Sequence, residues 1–203
     1  MEREATWEGG GSPFAIGVKP LGMWLFVVSD ALTFSALLVT YTYCRLSNPD
    51  WPTPFHFSPS ILFSTAMTFL LLSSSFTMAL AVRAMKNGRR RQTVRMMAAT
   101  IAMGLGFVAL HLNEWFHLMR VGNITLTDNP WHQPLFGATF FGLTGLHMVH
   151  VCAGSIYLAI VAAGVARGKF GAEDVETSGL YWHFVDLVWM FIFPMVYLMS
   201  VAR

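Results

Sequence analysis

The chain has 203 residues, of which 55% are hydrophobic and 12% charged, and its formal net charge is +2. Soluble domains normally carry about twice this charged fraction, so the composition predicts a membrane protein with little mass outside the bilayer. The basic residues lie beside predicted helix ends, so the charge does not indicate a nucleic-acid partner. Cys44 and Cys152 show no paired-cysteine spacing, so neither a zinc site nor a disulfide framework is indicated.

Five apolar spans follow one another along the chain, each long enough to cross about 30 Å of hydrocarbon as a helix. The polar, acidic opening stretch "MEREATWEGGGSPF" predicts no separate signal peptide. The predicted fold class is therefore all-α, a polytopic membrane protein with a cytoplasmic segment at 1–19 and one transmembrane domain at 20–203. The five helices are predicted at 20–44, 59–84, 95–118, 135–165 and 180–201.

Prolines mark several of these boundaries. Pro20 and Pro134 stand where a helix begins and a missing N–H costs nothing, and Pro59 follows Ser58, a predicted N-cap. Pro194 lies inside the fifth span and predicts a kink.

Lysine and arginine predict the orientation. With the N-terminus inside, the inner segments hold ten of these residues and the outer segments three. This positive-inside bias predicts a cytoplasmic N-terminus and a periplasmic C-terminus in the inner membrane. The inner loop "RAMKNGRRRQTVR" also supplies candidate contacts for anionic lipid headgroups, although it could serve only to determine topology. These candidates are Arg89, Arg90, Arg91 and Arg95.

Ionisable residues inside the spans carry the functional argument. Such a group costs a few kcal/mol at bilayer depth, so it usually faces a partner or a cavity. The set comprises Asp30, His111, Glu114, His117, His147, His150, His183 and Asp186.

Asp30 is the deepest acid of the first span, roughly 15 Å along its helix. Desolvation disfavours the charged form of a carboxyl group, so we expect Asp30 to be neutral or paired with a cation. Two interpretations stay open: a proton-handling or subunit-contact site, and a neutral carboxyl that is hydrogen-bonded within the bundle.

His147 and His150 are three residues apart and project from one side of the fourth helix. They could ligate haem iron or, with Glu114 and His183, a metal. No Glu-x-x-His pair is present, and we expect Glu114 near the outer surface and His183 near the inner one. These features favour histidines that bridge helices by hydrogen bonds.

His183 and Asp186 lie one turn apart in the fifth span. A contact between them would fix the imidazole tautomer. Tyr181, Trp182 and Trp189 could form part of an aromatic belt at the membrane interface, but a belt does not explain a buried aspartate.

No nucleophile motif, phosphate loop or nucleotide fingerprint is present in the sequence. The residues taken alone therefore predict a five-helix membrane protein with an unusual set of intramembrane acids and histidines, and name no reaction.

Three long motifs carry a family resemblance. "LGMWLFVVSDALTFSALL", "FGATFFGLTGLHMVHVCAGSIYL" and "YWHFVDLVWMFIFPMVYL" resemble subunit III of the haem–copper respiratory oxidases, in the same order, and "LHLNEW" falls where that family has a similar acidic–aromatic pair. The resemblance spans about 20–200. Larger members have seven helices, and this chain is similar to the short bacterial type that lacks the first two.

The resemblance implies a non-catalytic subunit of an oxidoreductase complex, a cytochrome c or quinol oxidase of the bacterial inner membrane that couples oxygen reduction to proton pumping. It implies no redox centre in this chain, with haem and copper held by partner subunits. The implied partners are catalytic subunit I, subunit II and membrane lipids, including structural phospholipid in a cleft between two groups of helices. The implied role is support of proton uptake and of catalytic-subunit stability.

The resemblance also implies site residues. Asp30 matches a carbodiimide-reactive glutamate in a W-x-F-x-x-S-E pattern, so here the side chain is one methylene shorter. It would lie near the route by which protons reach the catalytic subunit, and we expect the first two helices to contact that subunit. The family's other recurrent polar positions match Glu114, His147, His150, Glu176, His183 and Asp186.

Three other functions are alternatives to this interpretation. A subunit-III-like accessory protein of a nitric-oxide reductase would share the same motifs. A di-haem membrane cytochrome would use the histidines as ligands. A small transporter would use Asp30 as its coupling acid, but such folds usually contain repeats with broken helices, and none is evident here.

Overall fold

Five long helices make up the computed structural model, which describes residues 17–55 and 60–201. They are α1 (Val18–Ser47), α2 (Leu62–Lys86), α3 (Arg90–Arg120), α4 (Pro134–Ala166) and α5 (Ala172–Ile192). A π-helical segment, Phe193–Leu198, extends α5 and is followed by a final turn, Met199–Val201. No strand occurs in the described part of the chain, and all five helices are long and apolar enough to cross a membrane. The predicted all-α, five-helix membrane fold is confirmed.

Two of the prolines coincide with a helix start and with a change of helix type. Pro134 is the first residue of α4. At Pro194 the structure has the π-helical segment, because proline lacks an N–H and its ring crowds the carbonyl four residues earlier, and a wider turn relieves both problems. The predicted cap at Ser58 and Pro59 lies outside the described residues.

Two helices begin earlier than their apolar spans. α5 begins at Ala172, eight residues before the predicted start at 180, and α3 begins at Arg90, five residues before 95. The Asp174 carboxylate accepts a hydrogen bond from the Gly171 N–H at 2.9 Å. Glu173 and Asp174 also lie at the positive end of the helix dipole. Hydropathy misses such starts because the first turns are polar although they are helical.

Helix α5 is the centre of the bundle, since it packs against α1, α2 and α4, while α3 lies between α2 and α4. Helix α1 packs chiefly against α4 and α5 and leaves most of its apolar surface exposed. Leu25, Leu32 and Val39 are examples from that surface. In a membrane, this surface faces lipid or another protein.

Two tryptophans of α5 fill the core. Trp182 donates a hydrogen bond to Ser74 Oγ at 2.9 Å, and Trp189 donates one to Thr68 Oγ1 at 3.0 Å. Both indoles are fully buried, so these bonds to α2 satisfy N–H groups that water cannot reach. Gly104 of α3 and Gly154 of α4 lie against the Trp182 ring, where a larger residue has no room.

Replacing Gly104 by alanine should therefore destabilise the bundle. A Cβ atom there would contact Trp182 Cη2 and lie 2.8 Å from Cζ2, so the indole must shift. We expect the free energy of unfolding to fall by about 1–3 kcal/mol, as it does for other overpacked cores. Thermal unfolding of the protein in detergent, followed by tryptophan fluorescence, measures it.

Gly142→Ala is the matched control, because nothing lies within 4 Å of a Cβ at that helical position. It should be neutral or stabilising by up to about 1 kcal/mol, since alanine favours helix over glycine. Equal effects of the two variants would contradict the packing described for Trp182.

Candidate functional site

A carboxyl–imidazole pair joins α1 to α4 in the middle of the membrane. Asp30 is the thirteenth residue of the 30-residue helix α1, and its Oδ2 lies 2.9 Å from Nε2 of His150. The two side chains are mostly buried, with 18% and 16% of their surfaces exposed. Asp30 is thus paired across a helix seam, as one of the two sequence-based interpretations of this residue requires.

The other ring nitrogen fixes how many protons this pair holds. His150 Nδ1 lies 2.8 Å from the carbonyl oxygen of Leu146, and a carbonyl can only accept, so Nδ1 carries a hydrogen. A hydrogen bond between Nε2 and Oδ2 then needs one further proton, held by either the carboxyl or the imidazole. In both cases the pair is electrically neutral overall, which is the cheapest state for two ionisable groups in a bilayer.

Aromatic residues surround the pair and hold His150 in place. The Phe34 ring meets the imidazole edge-on, with ring centroids 5.2 Å apart. The Tyr181 hydroxyl donates to the backbone carbonyl of His150 at 3.0 Å. Residues from α1, α4 and α5 therefore position one proton-exchanging group at the edge of the bundle.

Glu114 lies at the centre of a separate, buried group near the C-terminal end of α3. Its carboxylate accepts hydrogen bonds from Ser64 Oγ at 2.8 Å and Tyr197 Oη at 2.7 Å. His111 Nδ1 lies 3.5 Å from Glu114 Oε2. The group ties α3 to α2 and to the π-helical segment, and its burial indicates a structural role.

His147 does not form the helix-bridging hydrogen bond that we expected of it. Its ring is fully buried and stacks on Trp189, with centroids 5.2 Å apart, and neither ring nitrogen has a hydrogen bond within the described residues. Three residues of helix turn the two side chains apart by about 60°, because each residue advances 100°. His150 therefore reaches the α1 seam, whereas His147 points into the core.

No hydrogen bond joins His183 to Asp186, the contact considered from their one-turn spacing, within the described part of the chain. The His183 Nδ1 atom instead lies 2.5 Å from Ser75 Oγ on α2, and Asp186 is buried beside the same hydroxyl. Glu176 lies apart from the buried groups, in an exposed ion pair with Lys86 at 3.0 Å. The structure thus separates the predicted network into the Asp30–His150 pair, the Glu114 group, the pair of His183 and Asp186 beside Ser75, the isolated His147 and the surface pair of Glu176.

No group of three or more His, Cys, Asp or Glu side chains in the described ranges is placed to hold a metal ion. The four possible metal ligands identified from the sequence are too dispersed to share an ion. His147 faces Trp189 and His150 faces Asp30. Glu114 and His183 contact different hydroxyl groups.

The four candidate lipid-binding arginines are exposed where α2 turns into α3. They line one open depression with Gly88 and Gln92. None of the four makes an ion pair within the part of the chain that the structure describes, so their charges are available to a ligand. These residues are Arg89, Arg90, Arg91 and Arg95.

Sequence reasoning missed the hydroxyl partners of these acids and histidines, namely Ser64, Ser75, Tyr181 and Tyr197. Serine and threonine in membrane helices commonly bond their own preceding turn, as Ser73 does here, so residue type alone does not single out those that reach another helix.

The proton count of the Asp30–His150 pair predicts unequal effects of removing its two members. In Asp30→Asn the amide N–H can still donate to Nε2, so we expect the free energy of unfolding to fall by less than about 1 kcal/mol. In His150→Leu the carboxyl loses its partner, so we expect a loss of about 1–3 kcal/mol. Thermal unfolding in detergent compares them.

The double variant D30L/H150L supplies the control. Removing both polar groups leaves neither unpaired, so it should be more stable than His150→Leu. Equal losses from the two single variants would rule out the proposed sharing of one proton.

Comparison with known proteins places this architecture in a family. The family model for cytochrome c oxidase subunit III matches residues 1–201. The chain is 34% identical to a cytochrome c oxidase subunit 3 and 32% identical to a quinol oxidase subunit 3, both from Bacillus subtilis. These alignments cover 91% and 90% of this chain and 87% of each relative.

A longer relative, the cytochrome c oxidase subunit 3 of the carp Cyprinus carpio, is 31% identical over 96% of this chain, which spans 75% of the carp protein. The match covers all five helices and the acids and histidines that they carry. This chain belongs to the cytochrome c oxidase subunit III family.

Proposed function

We propose that this chain is the non-catalytic subunit III of a bacterial haem–copper terminal oxidase. The whole-chain match to the family carries the proposal, together with relatives that are named as subunit 3 of cytochrome c and quinol oxidases. Oxygen reduction consumes electrons and protons, and we assign the haem and copper chemistry, and the choice of electron donor, to the partner subunits.

The Asp30–His150 pair gives this subunit a specific role in the proposal. A pair that shares one proton can accept or release it with small movements of two side chains. It lies at a helix seam and retains some exposure, so it can exchange protons with a neighbour. We assign it to proton uptake by the adjacent catalytic subunit, with aspartate in the place of the family glutamate.

The α1 side of the bundle fits the contact with subunit I and subunit II. Helix α1 leaves a long apolar surface uncovered, and Asp30 lies at its seam with α4. Association there would cover the partly exposed pair and exclude lipid from it. The sequence led us to expect contact through the first two helices. We now propose contact through α1 and α4, because Asp30 of α1 pairs with His150 of α4.

The basic end of the bundle supports the cytoplasmic orientation. The exposed arginines of α3 lie near the connection from α4 to α5, since Arg90 approaches Gly168, and Lys19 pairs with Asp174 at 2.7 Å. By the positive-inside rule this end faces the cytoplasm, with the C-terminus in the periplasm. There the unpaired arginines would bind headgroups of anionic phospholipid.

Affinity purification from the native membrane tests the assignment. We expect the tagged chain to bring down a core with haem and copper, whose absorption spectrum belongs to the partner subunits. Phospholipid analysis of the same preparation should show bound anionic lipid that decreases in R89Q/R91Q/R95Q. Recovery of the chain without a respiratory core, or with a haem of its own, would refute the proposal.

Asp30→Asn tests the proton role in the assembled oxidase. Asparagine keeps the hydrogen bond but cannot exchange a proton, so we expect a several-fold lower turnover with the chain still bound. Infrared spectroscopy should show the loss of one protonated carboxyl band on substitution if the proton rests on Asp30. Asp50→Asn, at an exposed site beyond α1, is the matched control and should change neither. Unaltered turnover in Asp30→Asn would contradict the proposed role of Asp30 in proton uptake.

A further inference from the structure

A second polar group lies at another seam, between α2 and α5, and the function proposed above does not use it. Ser75 Oγ of α2 and Nδ1 of His183 on α5 are 2.5 Å apart. Asp186, one turn further along α5, is buried beside the same hydroxyl with only 4% of its surface exposed. Neither of its oxygens makes a hydrogen bond of standard geometry within the described residues.

Both helices place this group within the apolar part of the bundle. Ser75 is the fourteenth residue of the 25-residue helix α2, so it lies about 20 Å from one end and about 17 Å from the other. His183 lies seven residues after Glu176, which pairs with Lys86 at the exposed polar end of α5, so it is about 10 Å along the helix from that end. Hydrocarbon about 30 Å thick surrounds both positions.

The outer edge of the group reaches the surface of the bundle. His183 is partly exposed, and its Nε2 has no hydrogen-bond partner in the part of the chain that the structure describes. Leu187 and Met190 lie on the same face of α5, four and seven residues on, and are 55% and 43% exposed. This apolar face of α5 therefore carries the imidazole nitrogen of His183.

Acyl chains cannot satisfy that atom. An unpaired polar group in hydrocarbon is strongly unfavourable, so such residues face protein or a cavity. Lipid headgroups stay at the interface, about 10 Å away along α5, where Glu176 pairs with Lys86. A neighbouring transmembrane helix with a polar side chain at this depth fits both the apolar surface and the exposed imidazole nitrogen.

We propose that Ser75, His183 and Asp186 form a docking point at which His183 Nε2 hydrogen-bonds a hydroxyl or amide side chain on a transmembrane helix of an adjacent oxidase subunit. The proposal rests on the function given above. It differs from the Asp30–His150 contact, which lies at the seam of α1 and α4.

The proton count determines the chemistry of the partner. Ser75 Oγ and His183 Nδ1 share one hydrogen bond, in which either atom can be the donor. If Nδ1 donates to Ser75, Nε2 of the neutral ring must accept from the partner. If Ser75 donates to Nδ1, Nε2 carries the ring hydrogen and is a donor. Hydroxyl and amide groups serve both cases because they donate and accept.

Photo-crosslinking in the native membrane tests whether a subunit covers this face. A benzophenone amino acid at Leu187 keeps the native triad, and the same probe at Leu105, an exposed residue of α3, is the control. We expect Leu187 to crosslink to an oxidase subunit and Leu105 to crosslink to lipid. Crosslinks to lipid alone at Leu187, in a complex that retains the chain, overturn the inference and leave the proposed function standing.

Substitution of His183 tests the hydrogen bond. His183→Leu removes one intramembrane hydrogen bond to the partner. We therefore expect this variant to be lost from the core during detergent washing roughly 3- to 30-fold more than the native chain. His183→Gln, which keeps donor and acceptor atoms, should restore retention. His117→Leu, the same change at an exposed histidine of α3, should have no effect. Immunoblots of the membranes correct for differences in folding.

The outcomes separate the two proposals. Retention of His183→Leu equal to that of the native chain overturns the docking point, even if Leu187 crosslinks to a subunit. Failure of the native chain to purify with any oxidase core overturns the proposed function instead.

Discussion

The absence of water from the bilayer interior governs this structure. Every polar side chain within the five helices needs a partner supplied by the protein, because hydrocarbon offers none. Many hydroxyls use the carbonyl four residues earlier, as Thr40 and Ser155 do. Asp30, Glu114, His150 and His183 instead meet partners on other helices. The seams of the bundle are therefore specified by polar pairs as well as by packing around Trp182 and Trp189.

The three polar groups differ in how completely the chain itself encloses them. Glu114 receives two hydroxyl hydrogen bonds and is 8% exposed, so its needs are met within the bundle. The Asp30–His150 pair is satisfied internally but keeps part of its surface open. His183 reaches the surface, and among the described residues one of its ring nitrogens has no hydrogen-bond partner. This order, from enclosed to open, is the basis on which we assign Glu114 to the fold and propose the other two groups as contacts with another polypeptide.

In the proposed function, this chain influences a proton-consuming reaction whose redox centres belong to partner subunits. The neutral Asp30–His150 pair costs less at mid-membrane than an isolated carboxylate, yet it holds a proton that either member can carry. The Asp30 carboxyl reaches a partner because His150, held by its bond to the Leu146 carbonyl, lies 2.9 Å away. The pairing explains why this chain keeps a carboxyl group in the middle of its first helix.

Hydropathy and motif order alone determined the five spans, the all-α class and the family, because membrane helices must be long and apolar and because the motifs are long. They also identified the residues that need partners, since an acid or histidine within a span is costly wherever it points. Only the tertiary structure decided which partner each one has. His147 and His150 share a motif, yet one stacks in the core and the other pairs with Asp30, and His183 meets Ser75 instead of Asp186. Those choices depend on the rotation of each helix against its neighbours, which is set by contacts such as that of Gly104 with Trp182 and is not encoded in any single span.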